Sequence, residues 1–389
     1  LAGIYLHIPF CKKACYYCDF HFSTSFKKKE ELISCLVKEL EIRKDELFHE
    51  VIETIYFGGG TPSVLSIEEL SLLIGTIYKN YKVSKNVELT LEANPDDLVV
   101  AQVEQKTIFK AYREIGINRL SIGVQSFFEQ DLKVMNRAHS SEDAKKCLEE
   151  ATLYFDNITI DLIYGIPDMS NERWKENLHK AFDFGINHIS SYALTVEPKT
   201  ALETFIKTGK YKNVEEDVAK AHFDILVKET AKRGFVHYEI SNFSKPHYIS
   251  RHNTSYWKGK KYLGIGPSAH SFNKTHRSWN IANNAKYIKA IQQGNLPSQL
   301  EQLTDEDRFN EYLMTGLRTV WGVSLQYIEE EFGEKKKREL LALAKKFIHQ
   351  GLLVIDKGIP SDNESVLKTT AKGKFLADGL ASALFILNG

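Results

Sequence analysis

The 389-residue chain has no surplus of either charge: 51 Lys plus Arg stand against 51 Asp plus Glu. With that balance, nothing in the overall charge recruits nucleic acid or an anionic membrane, so binding must come from local sites. The chain also lacks an apolar run of the roughly 18 residues that a membrane-spanning helix needs. The opening stretch, Leu1 to Phe10, is apolar but has no basic leader and no cleavage site. It reads as a strand, not as a signal peptide. There is no low-complexity tract. Cysteine is scarce, and an odd total of five does not suit a disulfide framework. Three of the five fall within eight residues. That clustering points to thiols gathered for a metal in a reducing cytoplasm.

Apolar residues make up 43% of the chain, enough for a sizeable core. The length suggests one large domain and a smaller one. Short β-rich runs occur at Gly3–Ile8, Thr54–Phe57, Val87–Glu92, Arg119–Val124, Ile158–Tyr164 and His188–Leu194. Amphipathic stretches such as Lys28–Leu47, Ser66–Tyr81 and Asn171–Phe184 lie between them. Strands separated by helices at this spacing predict βα units and a parallel sheet. Six such units fall short of the eight of a closed barrel, so a partial barrel is expected, with chemistry at the C-terminal strand ends.

Pro297 and the acidic Leu303–Asp307 segment mark a boundary, giving units of residues 1–300 and 301–389. The second unit shows helical patterns at Asp305–Thr319, Leu325–Phe332 and Lys335–Gln350. Strands follow around Leu352–Ile355 and Val366–Thr369, then a helix from Ala371. Three helices and a hairpin resemble a winged helix. The basic run Lys335–Arg338 is flanked by Glu334 and Glu339 and reads as a solvated helix face, not a DNA contact.

The first motif with chemistry is Cys11-Lys-Lys-Ala-Cys15-Tyr-Tyr-Cys18, directly after the first strand. Three thiolates in one loop suit a cubane iron–sulfur cluster, each holding one iron and leaving the fourth open. An open iron can chelate the amino and carboxylate groups of a methionine moiety, and an electron from the cluster can break its sulfonium C–S bond. Two alternatives stand beside this. The cysteines could share one helix face as core, or bind zinc with His7 or His21 as fourth ligand.

The second motif is Gly58-Gly59-Gly60-Thr61-Pro62, at the end of the second strand. Glycines there let a ligand approach the backbone, although a tight strand-to-helix turn would ask for the same residues. Third come Glu92, Gln125 and Asp161 at later strand ends, with Arg137 close behind. Together they suit a ligand with ribose hydroxyls, a carboxylate and a sulfonium. Each alone could be a satisfied structural group. Fourth is His252-Asn253-Thr-Ser-Tyr256-Trp257, followed by Tyr262-Leu-Gly264-Ile-Gly266-Pro-Ser268-Ala-His270. Imidazole with aromatics suits haem. A packed loop around a hydrogen-bonded histidine is the plainer alternative. Cys35 and Cys147 sit in helical patterns and read as buried small side chains.

These motifs together resemble the radical S-adenosylmethionine superfamily. Within it they resemble the oxygen-independent coproporphyrinogen III oxidase family and its HemW-type heme chaperone branch. The resemblance rests on Tyr-Leu-His-Ile-Pro-Phe-Cys, the cysteine triplet, Gly-Gly-Gly-Thr-Pro, Gly-Val-Gln-Ser-Phe, Asp-Leu-Ile-Tyr-Gly-Ile-Pro and His-Asn-x-x-Tyr-Trp. It implies an α/β fold: a partial (βα)6 TIM-like barrel with a C-terminal helical, winged-helix-like module. It implies a [4Fe-4S] cluster on Cys11, Cys15 and Cys18. It implies S-adenosylmethionine contacts from Tyr5, Tyr17, Gly59, Gly60, Thr61, Glu92, Gln125, Arg137, Asp161 and Ala193. The oxidase carries a fourth cysteine two residues past the triplet, where this chain has Phe20. It also carries an extension ahead of the first strand, on which this sequence opens. The resemblance therefore implies a chaperone that binds haem, with His252 as candidate ligand. Its partners would be a haem-acceptor protein and an electron donor for the cluster. Oxidative decarboxylation of coproporphyrinogen III is the alternative.

Overall fold

Six strands in the first half alternate polar and apolar side chains, and the architecture follows from that alternation. The computed structural model describes residues 1–99, 102–103, 106–357 and 365–386. The strands are β1 (Ala2–Ile8), β2 (Ile52–Gly59), β3 (Val83–Ala93), β4 (Arg119–Gln125), β5 (Ile158–Tyr164) and β6 (His188–Ala193). They lie in sequence order, all parallel, with helices between them. The result is the expected partial barrel. One face carries Ile4, Leu6, Ile55, Phe57, Leu89, Leu91, Leu120, Ile122, Ile160 and Leu162. All are buried in one apolar cluster with helix residues such as Leu32, Leu36, Leu70 and Leu73. Successive side chains point to opposite faces. Tyr5, Tyr56, Glu92, Arg119 and Asp161 therefore line the other face, the lumen.

Helix starts follow local chemistry. Ser66 caps the helix Ile67–Asn80 in a reciprocal capping box with Glu69, and Ser140 does the same with Asp143 for Ser141–Tyr154.

The sheet is larger than the six units expected. A further strand, β9 (Lys261–Ile265), lies parallel beside β1, so Tyr262–Gly266 is not the loop the sequence suggested. Gly264 in its middle weakens the strand signal. It stands there because a Cβ would lie 2.0 Å from the carbonyl oxygen of His270. Strands β10 (His270–Phe272), β11 (His276–Asn280) and β12 (Ser298–Gln302) extend this side antiparallel. The buried Glu39, on the helix Lys29–Ile42, pins the extension. It accepts hydrogen bonds from the Gly266 amide at 2.8 Å, Asn280 at 2.7 Å and Tyr287 at 2.5 Å. On the other side, β8 (Asn242–Ser244) pairs antiparallel with β6, and β7 (Val236–Glu239) pairs antiparallel with β8 at the edge of the sheet.

The C-terminal module has its own apolar cluster around Phe309, Leu313, Leu340 and Leu367. Its helices span Asp305–Leu317, Leu325–Phe332 and Glu334–His349. The last helix, expected from Ala371, begins at Ala377 after a short 3-10 turn. The strands Leu353–Lys357 and Ser365–Thr369 pair with a third, Val323–Ser324. Residues 358–364 and 387–389 of this unit lie outside the described residues. Three of the four cations of the basic run are paired locally, Lys335 with Glu339, Arg338 with Glu334 and Lys337 with Glu329, and Lys336 lies over the Phe309 ring. Residues 318–320 run along the edge of β7, where Val320 N–H donates to the Tyr238 carbonyl at 2.9 Å. Arg318 bonds Glu239 at 3.0 Å and lies over Trp257.

Candidate functional site

The loop after β1 is held at both ends before any ligand is considered. Cys11 N–H donates to the Ser23 carbonyl at 3.1 Å, and Ser23 N–H to the Pro9 carbonyl at 2.9 Å. Asn136 holds the Ala14 carbonyl at 2.7 Å, and Lys12 pairs with Asp97. Cys11, Cys15 and Cys18 are all free and half-buried on this loop. Thr61 Oγ1 donates to Cys11 Sγ at 3.5 Å, and Arg137 Nη1 to Cys15 Sγ at 3.2 Å. Burial raises the pKa of Cys11, and raises that of Cys18 to about 11, with the neighbouring thiols adding to both. A cation bound between them would reverse that effect, because it favours the thiolate. Among the described residues no three His, Cys, Asp or Glu side chains converge on one point. A single-ion zinc cage with His7 or His21 is therefore not preformed. His7 instead bonds Tyr5 and the His21 carbonyl, and His21 bonds Asn284.

The glycine turn after β2 closes tightly on this loop. Gly60 N–H donates to the Ile8 carbonyl at 2.9 Å and Thr61 N–H to the Phe10 carbonyl at 2.7 Å. A Cβ at Gly60 would lie 2.7 Å from the Phe10 carbonyl oxygen, and one at Gly59 would enter the His7 ring. Backbone packing alone accounts for Gly60, and the His7 ring with a φ of 109° for Gly59, before any ligand is considered.

A hydrogen-bond chain then joins two of the cysteines. From Cys11 it passes to Thr61. Asn94 Nδ2 donates to Thr61 Oγ1 at 3.0 Å, and Arg137 Nη2 donates to Asn94 Oδ1 at 2.5 Å and to the Gly123 carbonyl at 3.0 Å. Arg137 closes the chain on Cys15. Tyr17 is close enough to feel the charges of Arg137, Cys15, Cys18 and Asp161. Arg137 therefore works from beneath the thiols, whereas the sequence offered it only as a rim group.

Below the loop the lumen is charged. Glu92 accepts from Tyr56 at 2.7 Å and from the Gly59 amide at 3.2 Å; burial raises its pKa. Asp161 accepts no hydrogen bond among the described residues. Burial first, and then Glu92, lift its pKa to about 7. Arg119, 1% exposed, is the cation of the lumen: it donates to Thr159, and its Nε has no partner. Gln125 ends β4 in the left-handed region, with φ 63°. A bulky non-glycine residue held there is strained, a feature common at binding sites. Ala193, at the end of β6, is half-buried beside Tyr164.

Asn94, Arg119 and Tyr56 were not singled out by sequence. Their signal was there: they occupy the polar positions of Glu-Leu-Thr-Leu-Glu-Ala-Asn, Arg-Leu-Ser-Ile-Gly-Val-Gln and Thr-Ile-Tyr-Phe-Gly.

His252 is set apart from these groups. It lies on the helix Arg251–Trp257, which plugs the opposite, N-terminal end of the lumen. Its Nδ1 pairs with Thr54 Oγ1 at 2.8 Å and its Nε2 with Tyr256 OH at 2.8 Å. The residue is 1% exposed, and burial lowers its pKa to about 3. In this structure neither nitrogen is open to a haem iron. The expected haem ligand is instead part of the barrel floor.

Two family profiles match the chain that carries this lumen and its three-thiol loop. The Radical SAM superfamily profile matches residues 5–181, and the HemN C-terminal domain profile matches residues 303–361. The heme chaperone HemW of Bacillus subtilis is 32% identical, covering 98% of this chain and 99% of its own length. The chain belongs to this HemW family of radical SAM proteins. The family extends to mitochondria: radical S-adenosyl methionine domain-containing protein 1 of Mus musculus is 31% identical over 91% of this chain and 82% of its own. Coproporphyrinogen III oxidase (HemN) from Escherichia coli has the same fold, with a TM-score of 0.82, 22% identity and coverage of 99% of this chain and 90% of its own.

The residues fit the cofactors that the radical SAM family implies. Three free thiols share one loop, a guanidinium donates to one of them, and an unpartnered carboxyl lies beneath. No helix among the described residues is long and apolar enough to cross a membrane.

Proposed function

We propose that this protein binds haem and passes it to an acceptor protein, and that it does so with a [4Fe-4S] cluster and S-adenosylmethionine in the barrel mouth. The observation that carries the reading is the β1 exit, with three thiols held over a polar lumen and Phe20 where the oxidase family has a cysteine. Phe20 is 70% exposed. It offers no ligand, and its side chain is free of the lumen.

In this reading Cys11, Cys15 and Cys18 hold the cluster. A reduced cluster supplies the electron that breaks the sulfonium C–S bond of bound S-adenosylmethionine. The chain's own residues do the rest. Thr61 and Arg137 donate to Cys11 and Cys15 and stabilise sulfur charge, a recognised lever on cluster potential. Glu92 is fixed by Tyr56 and the Gly59 amide and presents a carboxylate to a ligand above it. Asp161 and Gln125 face the same space and suit ribose hydroxyls. Tyr5, Tyr17 and Ala193 complete its walls. An electron donor for the cluster and a cytoplasmic setting belong to the same reading, which five free cysteines support.

The test reconstitutes the cluster anaerobically and adds hemin, then a haem-free acceptor such as apo-cytochrome. Hemin binding and transfer to the acceptor are expected. A parallel reaction supplies S-adenosylmethionine, a reductant and coproporphyrinogen III. Formation of protoporphyrinogen IX there would replace this reading with the oxidase.

A further inference from the structure

With His252 closed, the haem-binding reading lacks an iron ligand, and the histidines of the barrel can be sorted by what their rings already do. His7, His21 and His252 have ring nitrogens in hydrogen bonds. His139, His188 and His222 are buried. His49, His247 and His270 are exposed, with no ring hydrogen-bond partner among the described residues, and of these three only His270 stands on a strand of the sheet.

Its surroundings are aromatic. His270 on β10 pairs with Trp279 on β11, and the two rings stack at 6.0 Å with 27° between planes. Phe272, two residues on, pairs with Tyr262 on β9 at 6.0 Å. Residues directly opposite on paired strands share a face, as do residues two apart on one strand. His270, Phe272, Trp279 and Tyr262 therefore form one aromatic shelf bearing one open imidazole. Trp279, Phe272 and Tyr262 are all half-buried and leave a face for a ligand.

The shelf continues the lumen wall. Tyr262 pairs with Gly3, whose missing Cβ points at Thr54 and His252. At its other end, His270 lies close enough to His7 for its charge to act on that ring. His7 is at the C-terminal end of β1, four residues before Cys11. The open imidazole is thus on the rim that carries the cysteine loop.

We propose that His270 is the protein's ligand to haem iron, with the macrocycle packed against Tyr262, Phe272 and Trp279. The assignment rests on the haem-binding reading above. A neutral imidazole is a common haem ligand, and aromatic side chains cover a porphyrin well. The position places the cargo beside the cluster mouth and leaves the floor histidine to hold the barrel shut.

The experiment titrates hemin into the anaerobically reconstituted full-length protein and into its His270→Ala, His270→Met and Trp279→Ala variants. Absorption and electron paramagnetic resonance spectra read the ligand, and melting curves check the fold. The wild type is expected to show a histidine-ligated spectrum. In His270→Ala that spectrum is lost, affinity falls about tenfold or more, and added imidazole restores the bands. His270→Met gives a spectrum of changed ligation. Trp279→Ala keeps the ligand signature and binds more weakly. Wild-type spectrum and affinity in both His270 variants overturn the assignment and leave the haem reading standing. A wild type that binds no hemin overturns the haem reading itself, and this assignment with it.

Discussion

The two ends of the lumen are built from the same strands and differ in the titratable group each is built around: a fully paired His252 at the floor, and at the mouth Asp161, which accepts no hydrogen bond among the described residues. At the floor, Glu88 accepts the backbone amides of Arg251 and His252 at 3.0 and 2.9 Å, and both nitrogens of His252 are taken. Ser255 Oγ donates to the His252 carbonyl at 2.6 Å. At the mouth, Asp161 accepts no hydrogen bond among the described residues, Arg137 leaves Nε without a partner, Gln125 is held at positive φ, and three thiols stand half-buried. Buried polar groups are normally paired, because an unpaired one costs about 1–3 kcal/mol. The floor obeys that rule at Glu88 and His252, while Arg119 Nε and, on the plug helix, Thr254 Oγ1 and Trp257 Nε1 have no partner among the described residues. The mouth breaks it at several adjacent residues, which is expected where a ligand completes the pairing.

The difference predicts opposite responses to substitution. Cys15→Ala removes a half-buried thiol and no core contact. Its melting temperature should stay near that of the wild type, while iron per chain and 5′-deoxyadenosine formation fall to background. Full iron content in this variant would remove the cysteine loop as the cluster site. Thr54→Val works the other way. It leaves His252 Nδ1 buried without a partner and should cost about 2 kcal/mol of stability, measured by denaturant unfolding, with iron content unchanged. If Thr54→Val loses the cluster and keeps its stability, the floor is part of the site and the contrast between the two ends fails.

Much of this was legible because the strands do not look like ordinary parallel strands. A parallel sheet covered on both faces reads as continuous apolar runs. Here Gly-Ile-Tyr-Leu-His-Ile, Glu-Leu-Thr-Leu-Glu-Ala-Asn and Arg-Leu-Ser-Ile-Gly-Val-Gln alternate, so one face had to meet something polar. The six strands came from their β-rich composition and their spacing with helices, and the rim residues Glu92, Gln125 and Asp161 from their places near strand ends; the alternation says why those residues face a polar lumen. Asn94 was missed because its part is to bridge Thr61 to Arg137, a contact between chain segments that no local pattern encodes. β9 was missed because Gly264, needed for the close approach of His270, is a poor strand former. The role of His252 stayed open between haem ligand and hydrogen-bonded histidine because sequence shows that an imidazole is present, not whether its nitrogens are already paired.

The finest test of the contrast is the pH dependence of stability, where the two ends have opposite signs. At the floor, burial and then Arg119 hold the pKa of His252 at about 3, so below the ordinary histidine range the unfolded chain takes up a proton that the folded floor refuses. Its contribution to stability is lost as pH falls. At the mouth, Asp161 is raised to about 7, so between the ordinary carboxylate range and that value the folded protein keeps a proton that the unfolded chain has released. Its contribution is lost as pH rises. Each slope is about 1.4 kcal/mol per pH unit while only one of the two states is protonated. Over the window they share they oppose each other. Asp161→Asn deletes the mouth's share only, so its stability relative to the wild type should climb with pH through that window by about that slope, measured by urea unfolding at several pH values. His252→Gln should show the reverse drift, losing ground to the wild type as pH rises. Parallel profiles for Asp161→Asn and the wild type would mean that Asp161 is ionised in the folded protein. The carboxyl of the mouth would then already have a counter-charge, with Arg137 first, and then Arg119, the groups to supply it.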